Sequence, residues 1–254
     1  FDWVVGETPA MKLISEMIER AAPTQTSILI CGESGTGKEV IANAVHQLSP
    51  RRDKPFIAIN CAALPDQLLE SELFGHEAQA FTGATKRKQG LFEVAEGGTL
   101  FLDEISTMKP DLQAKLLRAI EEKAIRRVGG TTLTQTDVRL IAASNRDLQK
   151  LIETHEFRED LYWRLKVITI QLPPLRDRRE DIPALAGGFI KKFNREMGKR
   201  VTSISPRALE ALQAFDWPGN VRQLRSAIEV AMIFCDDLEI QIGYLPSEIT
   251  QITR

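Results

Sequence analysis

Short apolar runs alternate with helix-like apolar spacing along the first two thirds of the chain. Each run is continuous and four to six residues long, which is typical of a strand buried on both faces. Helical spacing lies between most of the runs, as from Pro110 to Lys123, where Leu112, Leu116 and Ile120 fall on one side. Strands that alternate with helices predict a parallel sheet with helices on both faces. The five runs are Ser27–Cys31, Phe56–Ile59, Thr99–Leu102, Val138–Ala143 and Val167–Ile170.

The alternation stops at a proline-containing segment, Gln171 to Arg176. Beyond it the apolar spacing predicts helices only, over about 181–196, 205–215 and 221–235. The last helix follows Asn220, with Gln223 three residues on, which is the spacing of a capping box. The pattern therefore predicts an α/β domain over residues 1–172 and a smaller helical domain over residues 173–254.

Composition narrows the class of protein. Hydrophobic residues are 43% and charged residues 27%, as in ordinary globular proteins, and no apolar run approaches the ~20 residues that span a bilayer. The 33 basic and 35 acidic residues give a net charge of −2, whereas non-specific nucleic-acid binding needs a basic surplus. DNA contact is therefore expected only through domains absent from this chain.

The three cysteines are far apart, and no C-x-x-C pair exists. This pattern favours neither a metal knuckle nor a disulfide framework. A reducing cytoplasm is the expected location.

A glycine-rich segment between the first predicted strand and the following helix fits the pattern G-x-x-x-x-G-K. Its glycines would let backbone N–H groups converge on phosphate oxygens, and the helix N-terminus adds positive charge. The terminal lysine would reach the outer phosphates. The alternative is an ordinary glycine-rich turn. The segment predicted to bind ATP is Gly32, Glu33, Ser34, Gly35, Thr36, Gly37, Lys38 and Glu39.

Two adjacent carboxylates end the third predicted strand. Asp103 suits the ligand shell of Mg²⁺, and Glu104 suits a base that polarises an attacking water. Because Glu39 replaces the hydroxyl residue that usually binds this metal, Mg²⁺ must depend on Asp103, phosphates and water, which its chemistry tolerates. The alternative is a simple cap of the helix that leads to Pro110.

Together these motifs resemble the AAA+ ATPase domain of sigma-54-dependent transcription activators, the nitrogen-regulator-like bacterial enhancer-binding proteins. The resemblance covers essentially the whole chain, and the family itself usually has glutamate at position 39. It implies an α/β P-loop AAA+ core with a parallel five-stranded sheet flanked by helices, and a C-terminal all-helical lid. It rests on Gly32–Glu39, Phe74–Glu77, Ala80–Ala84, Gly97–Glu104 and Trp217–Arg222.

The resemblance also assigns roles to three single residues. Asn145 is similar to the sensor I residue that reports the γ-phosphate, and Asn60 to the partner that restrains Glu104 until a neighbouring subunit or the target releases it. Arg222 is similar to the sensor II arginine that couples the lid to nucleotide. The alternatives are a strand-end cap for Asn145, a turn for Asn60 and a solvated side chain for Arg222.

Arg158 and Arg164 match the family's arginine-finger segment. An arginine finger supplies positive charge to a transition state across a subunit boundary. Six residues on a regular helix turn by roughly 600°, a net of about 240°, so the two side chains cannot point the same way unless the segment bends. At least one is expected to act in trans, and the other could instead pair with Glu159 or Asp160.

In the family, a loop that begins with glycine rises from the ring pore to contact sigma-54. Here the first position is Gln79, which costs backbone freedom because glycine alone visits positive φ readily. Periodicity alone would favour a buried Phe81. The partner-binding residues that the resemblance implies are Ala80, Phe81, Thr82, Gly83 and Ala84.

The resemblance implies an ATP- and Mg²⁺-dependent motor that forms a ring of six or seven copies and remodels sigma-54 RNA polymerase holoenzyme. It also implies a longer protein with sensory and DNA-binding domains. The alternative is an ATP-binding regulatory oligomerisation module that no longer engages sigma-54 productively. A metabolic P-loop kinase would explain neither the helical domain nor the loop from Gln79.

Overall fold

The computed structural model describes residues 6–251 and confirms the five predicted strands as one parallel sheet. Four short strands outside this sheet, β3, β4, β6 and β7, are numbered with its five strands in chain order. The order of strands in the sheet is β2-β5-β8-β1-β9. Up to Gln171 the strands are β1 (Ile28–Cys31), β2 (Phe56–Asn60), β3 (Gly75–His76), β4 (Lys88–Gln89), β5 (Thr99–Asp103), β6 (Ala124–Ile125), β7 (Thr134–Gln135), β8 (Arg139–Ser144) and β9 (Ile168–Gln171).

The parallel register brings the carboxyl ends of the central strands to one edge. Asn60 on β2 lies opposite Asp103 on β5, and Cys31 on β1 lies opposite Ser144 on β8. Ligands of open α/β sheets bind beyond the carboxyl ends of the strands, so this edge is where the site is expected.

Helices connect the strands, as parallel pairing requires. For the four helices predicted at about 110–123, 181–196, 205–215 and 221–235, the predicted bounds agree with the structure to within one residue. The helices are α1 (Pro9–Ala21), α2 (Lys38–Gln47), α3 (Asp66–Phe74), α4 (Leu91–Val94), α5 (Pro110–Glu122), α6 (Leu148–Glu153), α7 (Glu159–Leu165), α8 (Ile182–Met197), α9 (Pro206–Ala214), α10 (Asn220–Phe234) and α11 (Ser247–Thr250).

By contacts, the chain divides into two compact units. Among the described residues, the sheet unit comprises Met17–Cys31 and Lys38–Gln171, and the C-terminal unit comprises 6–16, Gly32–Gly37 and 172–251. The glycine loop, Gly32–Gly37, thus makes its contacts with the C-terminal unit. The predicted division at residue 172 stays a prediction.

Each unit has its own hydrophobic core. In the sheet unit, buried residues such as Leu100 and Leu102 of β5 pack with Leu116 of α5. In the C-terminal unit, α8, α9 and α10 enclose the fully buried Trp217. Its indole Nε1 donates to the Leu212 carbonyl at 2.7 Å, which satisfies the buried donor.

Short strands are the part of the fold that the apolar pattern missed. β10 (Ser203–Ile204) pairs with β11 (Glu239–Ile240) in the region predicted to hold helices only, and β3–β4 and β6–β7 form two small antiparallel pairs. Two residues are too few to show a period of two. Among the described residues, no helix is long and apolar enough to cross a membrane.

Candidate functional site

The glycine loop leaves the carboxyl end of β1 and leads directly into α2. Gly35 has φ +78°, and a Cβ built on it would lie 2.3 Å from the Gly219 carbonyl oxygen. Only glycine fits this combination of left-handed backbone and close approach. The loop is therefore shaped by the segment that precedes α10.

Three consecutive loop carbonyls accept hydrogen bonds from the C-terminal unit. Asn220 Nδ2 donates to the Ser34 carbonyl at 3.0 Å, and the Arg222 backbone N–H donates to the Gly35 carbonyl at 3.2 Å. The Arg178 guanidinium donates from Nη2 to the Thr36 carbonyl at 3.1 Å. These donors hold the loop from the carbonyl side of its peptide groups.

The second residue of the loop, Glu33, carries a charge of the same sign as a phosphate. Arg176 holds this carboxylate through two bonds, of 2.6 Å and 2.9 Å, and Asn220 Nδ2 donates to it at 3.1 Å. The Arg176 hydrogen bond and then that of Asn220 lower the pKa of Glu33 to about 2. Glu33 is therefore ionised at neutral pH, with its charge countered by Arg176.

The structure corrects the prediction that Asn220 caps α10. Asn220 is fully buried at φ +52°, and its Oδ1 accepts from the Leu175 backbone N–H at 2.8 Å. The helix N-terminus is instead served by Gln223, whose Oε1 accepts from the Gly219 N–H at 2.9 Å. Gln223 thus bonds a backbone N–H four residues before it rather than three, and the predicted capping box of Asn220 and Gln223 does not form.

Arg222 is exposed at the start of α10, beside the glycine loop. Its Nη1 donates to Ser34 Oγ at 3.3 Å. The residue that the family resemblance links to nucleotide thus contacts the loop itself. Its sensor role stays a prediction.

The sheet unit positions the predicted chemical groups at the carboxyl edge. Lys38 is buried at the first position of α2, and this helix lies against β1, β5 and β8. Asp103 ends β5, and its Oδ1 accepts the backbone N–H of Glu104 at 2.9 Å. Glu104 has φ +53°, a left-handed conformation that costs energy for a non-glycine residue and is common at functional sites.

Both predicted asparagines lie near this edge. Asn60 is exposed, and its Oδ1 accepts from the Ala62 N–H at 2.9 Å, so it caps the short helical turn Cys61–Ala63. Asn145 is exposed directly after β8. The turn expected as the alternative for Asn60 is therefore present. The role of Asn60 as partner of Glu104 and that of Asn145 as sensor I stay predictions.

The arginine-finger segment separates its two arginines. Arg158 precedes α7, and its Nε and Nη2 donate to the Asp160 carboxylate at 3.0 and 2.7 Å. Arg164 lies exposed in the last turn of α7, and it forms no ion pair with any residue that the structure describes. The exposed Trp163 lies beside it. Arg164 is thus the more available of the two.

The segment from Gln79 to Ala84 closes on itself. Gln79 has φ +65° and donates its N–H to the Ala84 carbonyl at 2.7 Å, while Ala84 donates to the Phe81 carbonyl at 3.0 Å. Gln79 therefore adopts the backbone conformation that glycine would favour. Phe81 is half-buried, with its ring edge-to-face on His76 at 5.0 Å between centroids.

A charged network supports the base of this loop. Arg127 bonds bidentately to Glu93 and also to Glu77, and the Glu77 N–H donates to the Val128 carbonyl at 3.0 Å. The segment before β7 is thereby tied to the residues that precede Gln79. Glu77 belongs to the Phe74–Glu77 motif, whereas Glu93 and Arg127 were not singled out from the sequence, because these charges meet only in three dimensions.

Sequence reasoning also missed Arg176 and Arg178. Arg176 ends the proline-containing segment from Gln171, and Arg178 lies between that segment and the helix predicted from about 181, where an exposed, charged loop is the usual expectation. Only the fold shows that these side chains reach back more than 140 residues to the glycine loop.

Two family models match the chain. The Sigma-54 interaction domain matches residues 4–171, and the AAA+ ATPase lid domain matches residues 176–254.

Curated relatives agree with these matches. The DNA-binding transcriptional activator HyfR of Escherichia coli (strain K12) is 52% identical over 91% of this chain and 34% of its own length. The Nif-specific regulatory protein of Herbaspirillum seropedicae is 52% identical over 96% of this chain and 45% of its own length. For the transcriptional regulatory protein ZraR of Escherichia coli (strain K12), the figures are 49%, 97% and 56%. The chain thus spans between a third and just over half of these relatives.

Solved structures extend the likeness to three dimensions. NtrX from Brucella abortus in complex with ADP is 41% identical with a TM-score of 0.90, over 97% of this chain and 55% of that chain. NtrX in complex with ATP gives a TM-score of 0.89 over 98% of this chain and 55% of that chain. Hsp104 at 19% identity and a TM-score of 0.66 shares the fold alone. The predicted family and fold class are confirmed: this chain belongs to the Sigma-54 interaction domain family of AAA+ ATPases.

Proposed function

We propose that this domain binds ATP and hydrolyses it to ADP and phosphate. Two features carry the proposal: the glycine loop joins the carboxyl end of β1 to α2, which Lys38 begins, and Asp103 and Glu104 stand at the carboxyl end of β5 in the same sheet as β1. The nucleotide complexes of the similar NtrX support the same substrate.

The residues divide the reaction between them. Backbone N–H groups of the glycine loop bind the phosphates, and Lys38 neutralises the outer ones. The carboxylate of Glu104 polarises the attacking water and accepts its proton. Arg222 and Asn145 contact the nucleotide as sensors.

The donors of the sheet edge fit Mg²⁺. Within residues 6–251 no three acidic, histidine or cysteine side chains cluster as a metal cage. A magnesium ion bound to nucleotide takes most ligands from phosphate and water, and one carboxylate suffices. Asp103 would hold the ion, which when bound neutralises charge on the phosphates.

We further propose that the active domain is a ring, hexameric or heptameric, in which Arg164 reaches the nucleotide of a neighbouring copy. The Arg158–Asp160 pair leaves Arg164 as the arginine that is available for a second subunit. Residues 1–172 form the nucleotide-binding part and residues 173–254 the lid in this proposal.

The output that the family suggests is remodelling of sigma-54 RNA polymerase holoenzyme, through Ala80–Ala84, in the cytoplasm where that polymerase works. The positive φ of Gln79 supports this output, because the loop keeps a glycine-like geometry despite the substitution. The same observation weighs against an oligomerisation module that has lost its target.

Turnover at rising protein concentration, with the oligomer sized in parallel, tests the motor. Specific activity should rise with assembly because the site is shared between copies. Glu104→Gln should keep ATP binding and lose at least about 100-fold in turnover, while the exposed Glu121→Gln serves as the matched control. Turnover that is independent of assembly would exclude the shared site.

Binding to sigma-54 in the presence of ADP and aluminium fluoride tests the output. Phe81→Ala should keep ATP turnover and lose sigma-54 capture, whereas Leu68→Ala, an exposed apolar residue of α3, should change neither. If the unsubstituted ring hydrolyses ATP but never captures sigma-54, the regulatory module becomes the better description.

A further inference from the structure

We propose that Arg178, Asn220 and the backbone N–H of Arg222 act as a carbonyl clamp, which holds the glycine loop in its phosphate-binding shape before any nucleotide arrives. Arg178 and Asn220 are then positioning residues for the nucleotide. The proposal rests on the proposed nucleotide binding and adds to it which residues set the affinity.

The geometry of the trans peptide carries the first step. In a planar trans peptide, the carbonyl of one residue and the N–H of the next point in opposite directions. The clamp engages the carbonyls of Ser34, Gly35 and Thr36 at 3.0, 3.2 and 3.1 Å. The N–H groups of Gly35, Thr36 and Gly37 are therefore turned away from the clamp.

Successive N–H groups turned to one side form an anion-binding concavity. The Thr36 N–H makes only a long bond, 3.4 Å, to the Glu33 carbonyl, so it remains a donor of good capacity. A loop of this kind in isolation would rotate its peptide groups among several orientations. The clamp removes that freedom in advance, and preorganisation raises affinity by lowering the ordering cost of binding.

Arg178 is the second, independent observation. The residue is 4% exposed, and within residues 6–251 its guanidinium donates, besides Thr36, only to Met11 Sδ, from Nη1 at 3.1 Å. Its buried Nε has no hydrogen-bond partner among the described residues. The nearby Asp181 carboxylate instead accepts bonds from Glu7 and Thr8. A buried cation with neither a paired carboxylate nor a full set of acceptors is a poor stabiliser, which favours a role in the loop.

Arg179 provides a matched control. It is the next residue, and its guanidinium also bonds backbone carbonyls, those of Arg176, Gln213 and Phe215, together with the Asp216 carboxylate. It donates nothing to the glycine loop. If packing in this segment sets the ADP affinity, substitution of either arginine should weaken ADP binding. If the clamp sets it, only substitution of Arg178 should do so.

The test compares Arg178→Met with Arg179→Met by titration calorimetry with MgADP and by thermal unfolding without nucleotide. Removing one charged donor should weaken ADP binding by about tenfold in Arg178→Met and by less than about twofold in Arg179→Met. Equal affinities in the two variants, whatever their melting temperatures, would overturn the proposal.

A measurement on the unsubstituted chain keeps the proposal testable if Arg178→Met does not fold. The Arg222 amide, bonded to the Gly35 carbonyl, should already be protected from hydrogen exchange without nucleotide, and MgADP should add less than about twofold. An Arg222 amide that exchanges freely until ADP is added would mean that the clamp forms only after binding. If the unsubstituted chain binds no ADP at all, the proposed function fails, which separates the two outcomes.

Discussion

Arg139, at the first position of β8, predicts a loss of stability that should leave the nucleotide site intact. Its side chain is 2% exposed and has no carboxylate partner among the described residues. Its guanidinium donates to the carbonyls of Ala21, Ala22 and Thr26 at 2.8, 2.7 and 3.3 Å. Burial lowers the pKa of Arg139. The side chain thus fastens the end of α1 and the approach to β1 onto the sheet.

Two opposing terms set the size of the effect of Arg139→Met. Hydrogen bonds to a charged group contribute about 1.5–3 kcal/mol each, so the two short bonds amount to about 3–6 kcal/mol. Met avoids part of the cost of burying a cation, which is several kcal/mol. The Ala21 carbonyl keeps the Thr24 N–H and hydroxyl as donors, whereas Ala22 loses its short bond. We expect a net destabilisation of about 3 kcal/mol.

Urea unfolding of the chain, followed by circular dichroism, measures the difference in the free energy of unfolding between Arg139→Met and wild type. The carbonyls lie at the amino edge of the sheet, opposite the edge that holds Asp103, so MgADP affinity of the folded variant should stay within about twofold of wild type. Arg139→Lys, which keeps the charge but places all its donors on one nitrogen, should fall between the two. A free energy of unfolding within about 0.5 kcal/mol of wild type would show that desolvation cancels the bonds, and the reasoning would be wrong.

Three further predictions concern the loops and the fingers. Gln79→Gly should be about 1 kcal/mol more stable to urea than Gln79→Ala, since only glycine relieves the positive φ; equal stability would show no strain there. Arg176→Gln should weaken MgATP binding several-fold, and Glu33→Gln in the same chain should restore it, because the uncompensated carboxylate is then gone. Because its pKa is lowered from the ordinary 4.5 to about 2, Glu33 stays ionised at any pH well above 4.5. The loss of MgATP affinity in Arg176→Gln should therefore be the same from about pH 6 to 8. A strong pH dependence in that range would contradict the assignment. Arg164→Ala should lower assembly-dependent turnover by a factor at least about 100 times larger than its effect on MgATP affinity, and Arg158→Ala should lower turnover less. The reverse order would exchange the two roles.

The central sheet could be predicted because its strands are buried on both faces. Such strands leave continuous apolar runs, as in Leu100–Leu102, and glycine or proline marks their limits. The same reasoning fails for β10 and β11, since a two-residue strand has no period to recognise. The strand order β2-β5-β8-β1-β9 also lay beyond the pattern, because pairing is decided by contacts between distant segments.

The chemical residues were predictable where a motif fixes both residue type and spacing. Gly32–Lys38 needs glycine so that the backbone can approach phosphate and lysine for its charge, so the sequence of this segment alone indicates phosphate binding. Asp103 and Glu104 followed because a strand end at the ligand edge limits where carboxylates can act. Neither argument required knowledge of a distant contact.

Residues that act on the loop from a distance carry no such signal. Asn220 shows why: at the start of a helix, an asparagine predicts a cap, and local spacing with Gln223 strengthens that prediction. Its backbone is instead left-handed, and its side chain bonds Leu175, Glu33 and Ser34, which lie more than 40 residues away along the chain. If binding nucleotide and holding the loop are separate tasks, the first leaves a local motif and the second leaves residues scattered along the chain. The shape of a phosphate site can then depend on side chains that sequence spacing alone would assign to capping or to a linker.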